Sequence, residues 1–251
     1  MSNKLLIGLT DKTECLLETD RPFLWIDDDP PEVSRGTYFD PSEHSFNPLE
    51  DIDYRKARDI AALLYSLSPE GENTLTVRNG RRALARLLLA ASRLDRIKAA
   101  SDDDKDAVAM VDDVLFSPVL KRIFCGKPNF DFSPTKTILT RVNRAELGDF
   151  DALILGNFLI GQYQGQVILP DGGFYLRPLH ASLIRQNRLI AGVRHLAELH
   201  PKLRDTLLLA AQRTPMGCLY EDAEQLALLD GLQPSTVGFS DYVQKAMEGD
   251  S

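Results

Sequence analysis

The strongest constraint on the fold is an alternation of short apolar runs with helical patterns, interrupted once by a long helical block. Residues 4–9 (KLLIGL) and 22–26 (PFLWI) are short and apolar and are followed by polar residues, which predicts buried parallel strands. Residues 136–142 (KTILTRV) and 165–171 (GQVILPD) repeat this pattern after the block. The alternation predicts an α/β protein with a mainly parallel sheet that has helices on both faces.

The interrupting block covers residues 53–124 and has no strand pattern. Asp53 is placed to cap a helix with the sequence YRKARDIAALLYSL. A second amphipathic run extends from Val77 to Ile97 with its arginines opposite its leucines, and a third helical pattern follows. We therefore predict a helical insertion subdomain over 53–124, which divides an α/β domain made of residues 1–52 and 125–251.

The remaining segments carry weaker patterns. Residues 28–52 are rich in Pro, Asp and Ser, which predicts a loop. Residues 179–189 and 221–229 have helical spacing, whereas residues 188–196 (RLIAGVRHL) resemble a strand. TLLLAA at 206–211 is a further apolar run. The last four residues, EGDS, are expected to fray.

Composition excludes several classes of protein. Hydrophobic residues make up 43% of the 251 residues and charged residues 26%, which is typical of a globular protein and excludes a disordered or collagen-like chain. No apolar run reaches the ~18–20 residues that a membrane span needs. The N-terminus turns acidic early and lacks the pattern of a secretory signal. Three widely spaced cysteines favour a reducing cytosol over a disulfide framework or zinc site.

Charge is distributed unevenly along the chain. The formal net charge is −8, which argues against a nucleic-acid-binding surface over the whole protein. Residues 1–53 contain thirteen acidic and four basic side chains, whereas residues 177–213 contain seven basic and two acidic ones. We therefore expect any contact with DNA to come from a local basic patch within 177–213.

The first candidate for chemistry is the loop Gly8–Thr13 (GLTDKT). A phosphate-binding loop has a strand, a glycine-rich turn, a Lys followed by Ser or Thr, and a helix, because backbone N–H groups and the Lys hold phosphate while the hydroxyl holds Mg²⁺. Here Gly8, Lys12 and Thr13 are in that order, but the loop is two residues short and Asp11 replaces the last glycine. The same residues also fit a plain strand–turn–helix connection.

Further candidates lie in the second half of the chain. Asp171 ends an apolar strand, as a Mg²⁺-binding carboxylate does in phosphoryl-transfer sites, yet Gly172 stands where a water-orienting Glu is expected. A tight turn explains the same residues. Arg185 and Arg188 are three residues apart and are predicted to share a helix face, as subunit-bridging or phosphate-binding arginines or as a solvated surface.

The order of these segments resembles the FtsK–HerA superfamily of DNA-pumping P-loop ATPases, in particular its HerA-like and conjugative coupling-protein branch. The resemblance extends over residues 4–230, and its segments are IGLTDKT, FLWIDDD, Phe46-Asn47-Pro48-Leu49, Leu147-Gly148, VILPD, LIRQNRLIAGVRHLAEL and Glu221-Asp222-Ala223-Glu224. Three features depart from the family pattern: the short phosphate loop, Gly172 after the acidic strand, and Arg194 or His195 in place of the sensor Gln.

The resemblance implies a P-loop-NTPase-like domain and, if the site is functional, ATP and Mg²⁺ as cofactors. The implied nucleotide-binding residues are Gly8, Lys12 and Thr13, and the implied Mg²⁺ ligands are Thr13 and Asp171. The implied catalytic residues are Asp171, Arg185 and Arg188, with the arginines acting across a subunit boundary. Arg194 or His195 would be the sensor.

The function that follows is DNA translocation or DNA packaging in a phage or mobile element, with ATP hydrolysis weakened or lost. The expected partners are DNA, further copies in a ring, or other translocation or packaging proteins. The expected location is the cytoplasm, a virion, or the periphery of a membrane complex. The alternative is a non-enzymatic structural or adaptor subunit built on the same fold. A third hypothesis is an unrelated α/β binding protein.

Overall fold

A computed structural model describes residues 3–66, 75–235 and 238–248. The chain forms two compact units. The first unit consists of Met1–Asp27 and Gly165–Ser251, and the second of Asp28–Gln164. Residues 28–66 and 75–164 therefore belong to the same compact unit.

The described residues contain seven strands and twelve α-helices. The strands are β1 Asn3–Ile7, β2 Phe23–Asp27, β3 Gly36–Phe39, β4 Thr137–Arg141, β5 Gln166–Leu169, β6 Leu189–Val193 and β7 Ala211–Pro215. The helices are α1 Thr13–Leu17, α2 Tyr54–Ser66, α3 Leu75–Ala90, α4 Lys105–Phe116, α5 Pro118–Cys125, α6 Arg144–Leu147, α7 Asp149–Gln162, α8 Gly172–Tyr175, α9 Ala181–Arg185, α10 Pro201–Ala210, α11 Tyr220–Leu229 and α12 Phe239–Glu248.

The first unit is built on five parallel strands in the order β2-β5-β6-β1-β7. In register, Leu5 of β1 lies opposite Ala191 of β6 and Arg213 of β7. β5 and β6 are buried along their whole length, which explains why their sequences are continuous apolar runs. The parallel α/β architecture predicted from the sequence is confirmed, and all five strands end at the same edge.

Two segments of the first unit differ from their predictions. The helix expected over 179–189 is confined to α9, because Asn187 adopts a positive φ of 54° and turns the chain into β6. The apolar run TLLLAA lies mainly at the end of α10. β7 follows it and contains Gln212, Arg213 and Thr214, so hydrophobicity alone does not reveal this strand.

The second unit contains a parallel pair, β3 with β4. β3 falls inside residues 28–52, where we expected only a loop, so that prediction is wrong. The strand is four residues long and only its last residue, Phe39, is buried. Phe39 packs edge-on against Phe46 and Phe130, with ring centroids 5.9 and 5.1 Å apart. The strand is therefore anchored by aromatic contacts, one of which comes from Phe130 in a distant part of the chain.

Helices make up the described part of residues 53–124. The predicted cap of α2 is confirmed, since the Lys56 N–H donates to Asp53 Oδ1 at 2.7 Å. α3 ends at Ala90, earlier than the amphipathic pattern suggested, and a 3₁₀ turn over Leu94–Arg96 follows. No strand occurs in 53–66 or 75–124. Since the compact unit extends over Asp28–Gln164, the boundaries of the insertion stay a prediction.

Two expectations concern the chain as a whole. None of the helices within the described ranges is long and apolar enough to cross a membrane, as expected. The predicted fraying of the C-terminal tail falls largely on residues 249–251, which lie outside the described residues.

Candidate nucleotide site

Several of the predicted site residues meet at the carboxyl edge of the strands in the first unit. Lys12 follows β1, Asp171 follows β5 and Arg194 follows β6. A Cβ on Gly192 would lie 2.5 Å from the Pro170 carbonyl oxygen and 3.0 Å from Lys12 Cδ. The lysine side chain therefore crosses the end of β6 at a place where only glycine leaves room.

The backbone of the loop after β1 is bonded to the neighbouring strands. Its first three N–H groups each donate to a backbone carbonyl: Gly8 to Val193 at 3.0 Å, Leu9 to Gly217 at 3.1 Å and Thr10 to Met216 at 3.1 Å. In a phosphate-binding loop, such N–H groups point at the ligand instead. Here they extend the pairing of β1 with β6 and β7, so these three donors are already used inside the protein.

Gly8 allows this path of the chain. Its φ is +136°, a conformation that residues with a side chain rarely adopt. A Cβ at this position would lie 2.1 Å from the Met216 carbonyl oxygen. The glycine that resembles the first glycine of a phosphate loop therefore serves a close approach of two backbones.

Asp11 occupies the start of α1. Its Oδ1 accepts hydrogen bonds from the Thr13 N–H at 2.9 Å and from Thr13 Oγ1 at 2.8 Å. These bonds from Thr13, backbone first, hold the pKa of the Asp11 carboxyl below its usual value. A carboxylate of this chain thus takes the first helical N–H, and the Thr13 hydroxyl, which we expected to hold Mg²⁺, donates to that carboxylate.

Lys12 is directed back onto its own loop. Its Nζ donates to the Gly8 carbonyl and to the Thr10 carbonyl, the latter at 3.1 Å. Burial lowers the pKa of the Lys12 ammonium, and the nearby carboxylate of Glu198 opposes this effect. The ammonium therefore donates to carbonyl oxygens of the protein, whereas in a nucleotide site it would donate to oxygens of the triphosphate.

Asp171 lies beside an arginine of the next strand. Arg194 Nη2 is 3.8 Å from Asp171 Oδ2, and Arg194 Nε is 4.0 Å from Glu198 Oε1. The Arg194 N–H also donates to Glu198 Oε2 at 3.0 Å. The sequence placed Arg194 near the sensor position. The structure brings it together with Asp171, so a cation stands within reach of the carboxylate that would hold Mg²⁺.

The position after Asp171 is sterically closed. Gly172 is buried, and a Cβ there would lie 2.9 Å from the Gly192 carbonyl oxygen and 3.0 Å from the Ala191 Cβ. A glutamate at this point of the family pattern would need β6 to move. The missing acid is therefore consistent with the packing of the strand ends.

One polar residue at this edge appears in the sequence analysis only as part of the segment Glu221-Asp222-Ala223-Glu224. Asp222 of α11 is 8% exposed and accepts the Leu196 N–H at 3.3 Å on both carboxylate oxygens. Burial raises the pKa of Asp222. Its Oδ2 lies 3.9 Å from Nδ1 of His195, the other residue proposed for the sensor position. The signal in the sequence was that Asp222 stands four residues before Leu226, which is buried on the same helix.

Arg185 and Arg188 lie away from this edge. Both precede β6, whereas Lys12 and Asp171 follow the strands to which they are attached. Arg185 is exposed at the end of α9, but Arg188 lies beyond that helix, so the predicted shared helix face is wrong. Arg188 Nε donates to the Gly165 carbonyl at 2.8 Å. Neither arginine can reach the loop after β1 in its own chain. The five-residue strand β6, about 16 Å long, lies between the arginines and the edge that carries the loop.

At this edge, several groups that we expected to hold ATP and Mg²⁺ bond to oxygens of the protein instead. In the described part of the chain, no group of three His, Cys, Asp or Glu side chains is arranged to hold a metal ion. The N–H groups of Gly8, Leu9, Thr10 and Thr13, Lys12 Nζ and the Thr13 hydroxyl bond to oxygens of the protein. Most of the polar groups of the loop therefore have partners within the protein.

Comparison with known proteins identifies the fold. No family model matches the chain, and no curated protein sequence matches it significantly. The unbound bacterial conjugative coupling protein TrwB, lacking its first 70 residues, aligns over 90% of this chain and 72% of its own, with a TM-score of 0.56 and 13% identity. The chain has the fold of this coupling protein.

Two further TrwB structures give the same result. The form in complex with sulphate aligns over 89% of this chain and 72% of its own, with a TM-score of 0.53 and 14% identity. The complex with the non-hydrolysable ATP analogue ADPNP aligns over the same shares, with a TM-score of 0.56 and 13% identity. The coupling-protein type of fold, predicted from the order of motifs, is confirmed.

Proposed function

We propose that the protein takes part in DNA translocation or DNA packaging for a phage or other mobile element without hydrolysing ATP. The likeness to a conjugative coupling protein supports a role in DNA transport. The single observation that carries the loss of hydrolysis is that the loop after β1 uses its own polar groups for internal hydrogen bonds.

Phosphoryl transfer depends almost entirely on positioning and electrostatic stabilisation. A loop whose N–H groups are bonded to Val193, Gly217 and Met216 offers a triphosphate little of either. Asp11 adds a negative charge where the phosphates would lie. Removing donors of this kind typically costs several kcal/mol of transition-state stabilisation. Turnover should therefore fall below the range of working phosphoryl-transfer enzymes.

Calorimetric titration with Mg-ATP, together with a steady-state hydrolysis assay, tests this function. We expect the wild-type protein to give no binding heat with Mg-ATP. Any residual hydrolysis should be the same in wild type and Lys12→Ala. A turnover above ~1 s⁻¹, the low end for kinases, that disappears in Lys12→Ala would show that the protein is a working ATPase. The chemistry of the loop would then be restored by a rearrangement on binding.

A second variant tests why the loop does not bind nucleotide. Asp11→Gly frees the N–H and hydroxyl of Thr13 and removes a negative charge but leaves the backbone bonds of the loop in place, so we expect weak binding heat with Mg-ATP and no tight binding. Asp20→Gly is the matched control, because it removes the same charge from an exposed residue beyond α1. Equal behaviour of the two variants would mean that Asp11 is not what blocks the loop.

The alternative function, a structural or adaptor subunit, is favoured by one feature of the first unit. Large apolar side chains are exposed around α11 and α12: Leu219, Tyr220, Leu228, Leu229 and Met247. Exposed apolar groups of this kind suit contact with another protein. Mass measurement with and without DNA separates the two functions, since an adaptor would assemble with other proteins and would not bind DNA.

A further inference from the structure

The second unit contains a groove lined by arginines between α2 and α3, with a volume of about 890 Å³. We call it the arginine groove. Its cationic lining residues are Arg58, Arg78, Arg81, Arg82 and Arg86. The other lining residues include Tyr54, Ala62, Ala85 and Leu89. It lies outside the basic segment 177–213 and outside the candidate nucleotide site.

The four arginines of α3 form a stripe along the helix. Arg78, Arg81, Arg82 and Arg86 stand at positions i, i+3, i+4 and i+8, which places them on one face. At 1.5 Å per residue the stripe is about 12 Å long. The like charges repel one another, so this arrangement costs stability unless an anion lies along the stripe.

Most of this positive charge has no carboxylate partner. Arg86 pairs with the buried Asp104. Within the described ranges, Arg78, Arg81 and Arg82 make no ion pair, and the Nε atom of Arg81 is buried without a hydrogen-bond partner. In a protein of net charge −8, such a concentration of unpaired guanidinium groups indicates a site for a polyanion.

The groove also presents an aromatic face. Tyr54 is 65% exposed, and the guanidinium of Arg58 lies over one face of its ring at 5.6 Å from the centroid. Ala62, Ala85 and Leu89 add apolar surface beside it. One guanidinium group can donate to two oxygens of a phosphate at once. An exposed aromatic ring offers a surface on which a base can stack.

We propose that the arginine groove binds the phosphate backbone of a single-stranded nucleic acid, with a base stacked on Tyr54. The combination of a cationic groove and an exposed aromatic side chain favours a nucleic acid over an acidic polypeptide, which would use the charge alone. That the strand is DNA rests on the proposed function. The groove itself depends on neither the phosphate loop nor ATP.

The basic segment 177–213 is less suited to this role. Arg177 Nη1 donates to the Phe174 and Leu176 carbonyls, both at 2.8 Å. Arg213 pairs with Asp230. These guanidinium groups already have acceptors in the first unit, whereas those of Arg78 and Arg82 are exposed. Four of the five groove arginines lie within residues 78–86, which contain no acidic side chain, so this charge is visible in the sequence and only the groove itself requires α2 and α3 to be placed together.

Fluorescence anisotropy with labelled oligothymidylate over a salt series tests the groove. Arg78→Gln/Arg82→Gln removes two exposed cations that have no structural partner, so we expect the log–log salt slope to fall by about 1.4, at about 0.7 per contact with a single strand. Arg55→Gln/Arg96→Gln is the matched control, since it removes the same charge from exposed residues of the second unit outside the groove. The control should keep the wild-type slope.

A second pair of variants tests stacking. Tyr54→Ala should weaken binding about 5-fold or more, the lower end for loss of one base–aromatic stack, while Tyr54→Phe retains affinity. Polyglutamate should compete poorly with the labelled oligonucleotide, and its affinity should be the same for Tyr54→Ala and the wild type. If polyglutamate binds as tightly as the oligonucleotide and Tyr54→Ala changes neither, the groove is a site for an acidic polypeptide and the inference is wrong.

The outcomes separate this inference from the proposed function. Equal salt slopes in the groove variant, its control and the wild type would overturn the groove while leaving DNA transport in place. Wild-type protein that binds no single strand would overturn the groove and remove the DNA part of the function. Binding to the groove by a protein that also hydrolyses ATP would support the groove and overturn the loss of hydrolysis.

Discussion

At the scale of single residues, Lys12 and Asp11 show how a nucleotide loop and a structural turn use the same side chains. In a working loop, the lysine and the helix N–H groups bind phosphate. Here Lys12 Nζ bonds to the Gly8 and Thr10 carbonyls, and Asp11 takes the Thr13 N–H. Asp11 thus satisfies the N–H and the hydroxyl of Thr13, while backbone carbonyls satisfy the other groups that a ligand would otherwise bind.

His180 carries a prediction about acid stability. The residue is 3% exposed, its Nδ1 accepts the Arg177 N–H at 3.0 Å, and among the described residues its Nε2 has no partner. Burial, with a further effect of Arg177, lowers the pKa of His180 to about 3. The folded protein therefore stays unprotonated there down to a pH at which the unfolded chain, with a pKa of about 6.5, is protonated.

The sign follows from proton binding. Between about pH 6.5 and pH 3 the unfolded state binds a proton that the folded state does not. The unfolding free energy therefore falls, as the pH is lowered, by up to about 1.4 kcal/mol per pH unit. His180→Asn, which keeps an acceptor, should flatten this dependence in urea denaturation followed over that range. His200→Asn is the control, since His200 also accepts a backbone N–H, from Lys202 at 3.3 Å, but is half-exposed. The same slope in wild type and His180→Asn would contradict the prediction.

At the scale of elements, the cap of α2 determines how the arginine groove begins. Asp53 Oδ1 accepts the Lys56 N–H, and its carbonyl accepts the Ala57 N–H. Tyr54, the aromatic face of the groove, is the first residue of the helix. The capping residue therefore fixes the backbone that carries Tyr54.

Loss of this cap should be measurable. Asp53→Ala is expected to lower the unfolding free energy by about 1 kcal/mol, the usual value of an N-cap side chain, while Asp53→Asn retains most of it. The measurement is the urea midpoint of each variant at constant slope. Equal midpoints for Asp53→Ala and wild type would mean that the observed hydrogen bond contributes nothing to stability.

At the scale of the whole molecule, Arg185 and Arg188 carry a prediction about assembly. We proposed that an arginine of this pair contacts a second copy of the chain. Arg185 is exposed and makes no ion pair with a described residue, whereas Arg188 bonds to the Gly165 carbonyl and to Gln186 at 2.9 Å. Only Arg185 is therefore free to act outside its own chain.

Two single variants separate the roles. Arg185→Ala should lower the mass of the assembly in solution and leave the melting temperature unchanged. Arg188→Ala should lower the unfolding free energy by about 1 kcal/mol for a lost hydrogen bond. Mass photometry and thermal melting give the two quantities. An unchanged mass in Arg185→Ala would show that this arginine is solvated in the free protein and bridges no subunits.

The sequence by itself determined the elements whose pattern is local. β1, β2, β4, β5 and β6 are apolar runs with polar ends, and α2 begins at a recognisable cap. The parallel α/β class and the coupling-protein type of fold follow from the order of these elements. Local propensity and burial agree in such segments, so hydrophobicity and spacing suffice.

Tertiary structure decided the elements and the site whose partners are distant in the chain. β3 is held by an aromatic cluster, and β7 is half polar and pairs only because β1 lies beside it. The loop at Gly8 resembles a phosphate loop until Met216 and Gly217 are placed against it. The arginine groove exists only once α2 and α3 pack together. Hydrogen bonds between distant segments have no periodicity, so no window of the sequence contains them, whereas the arginine stripe of α3 is periodic and only its position beside α2 is tertiary.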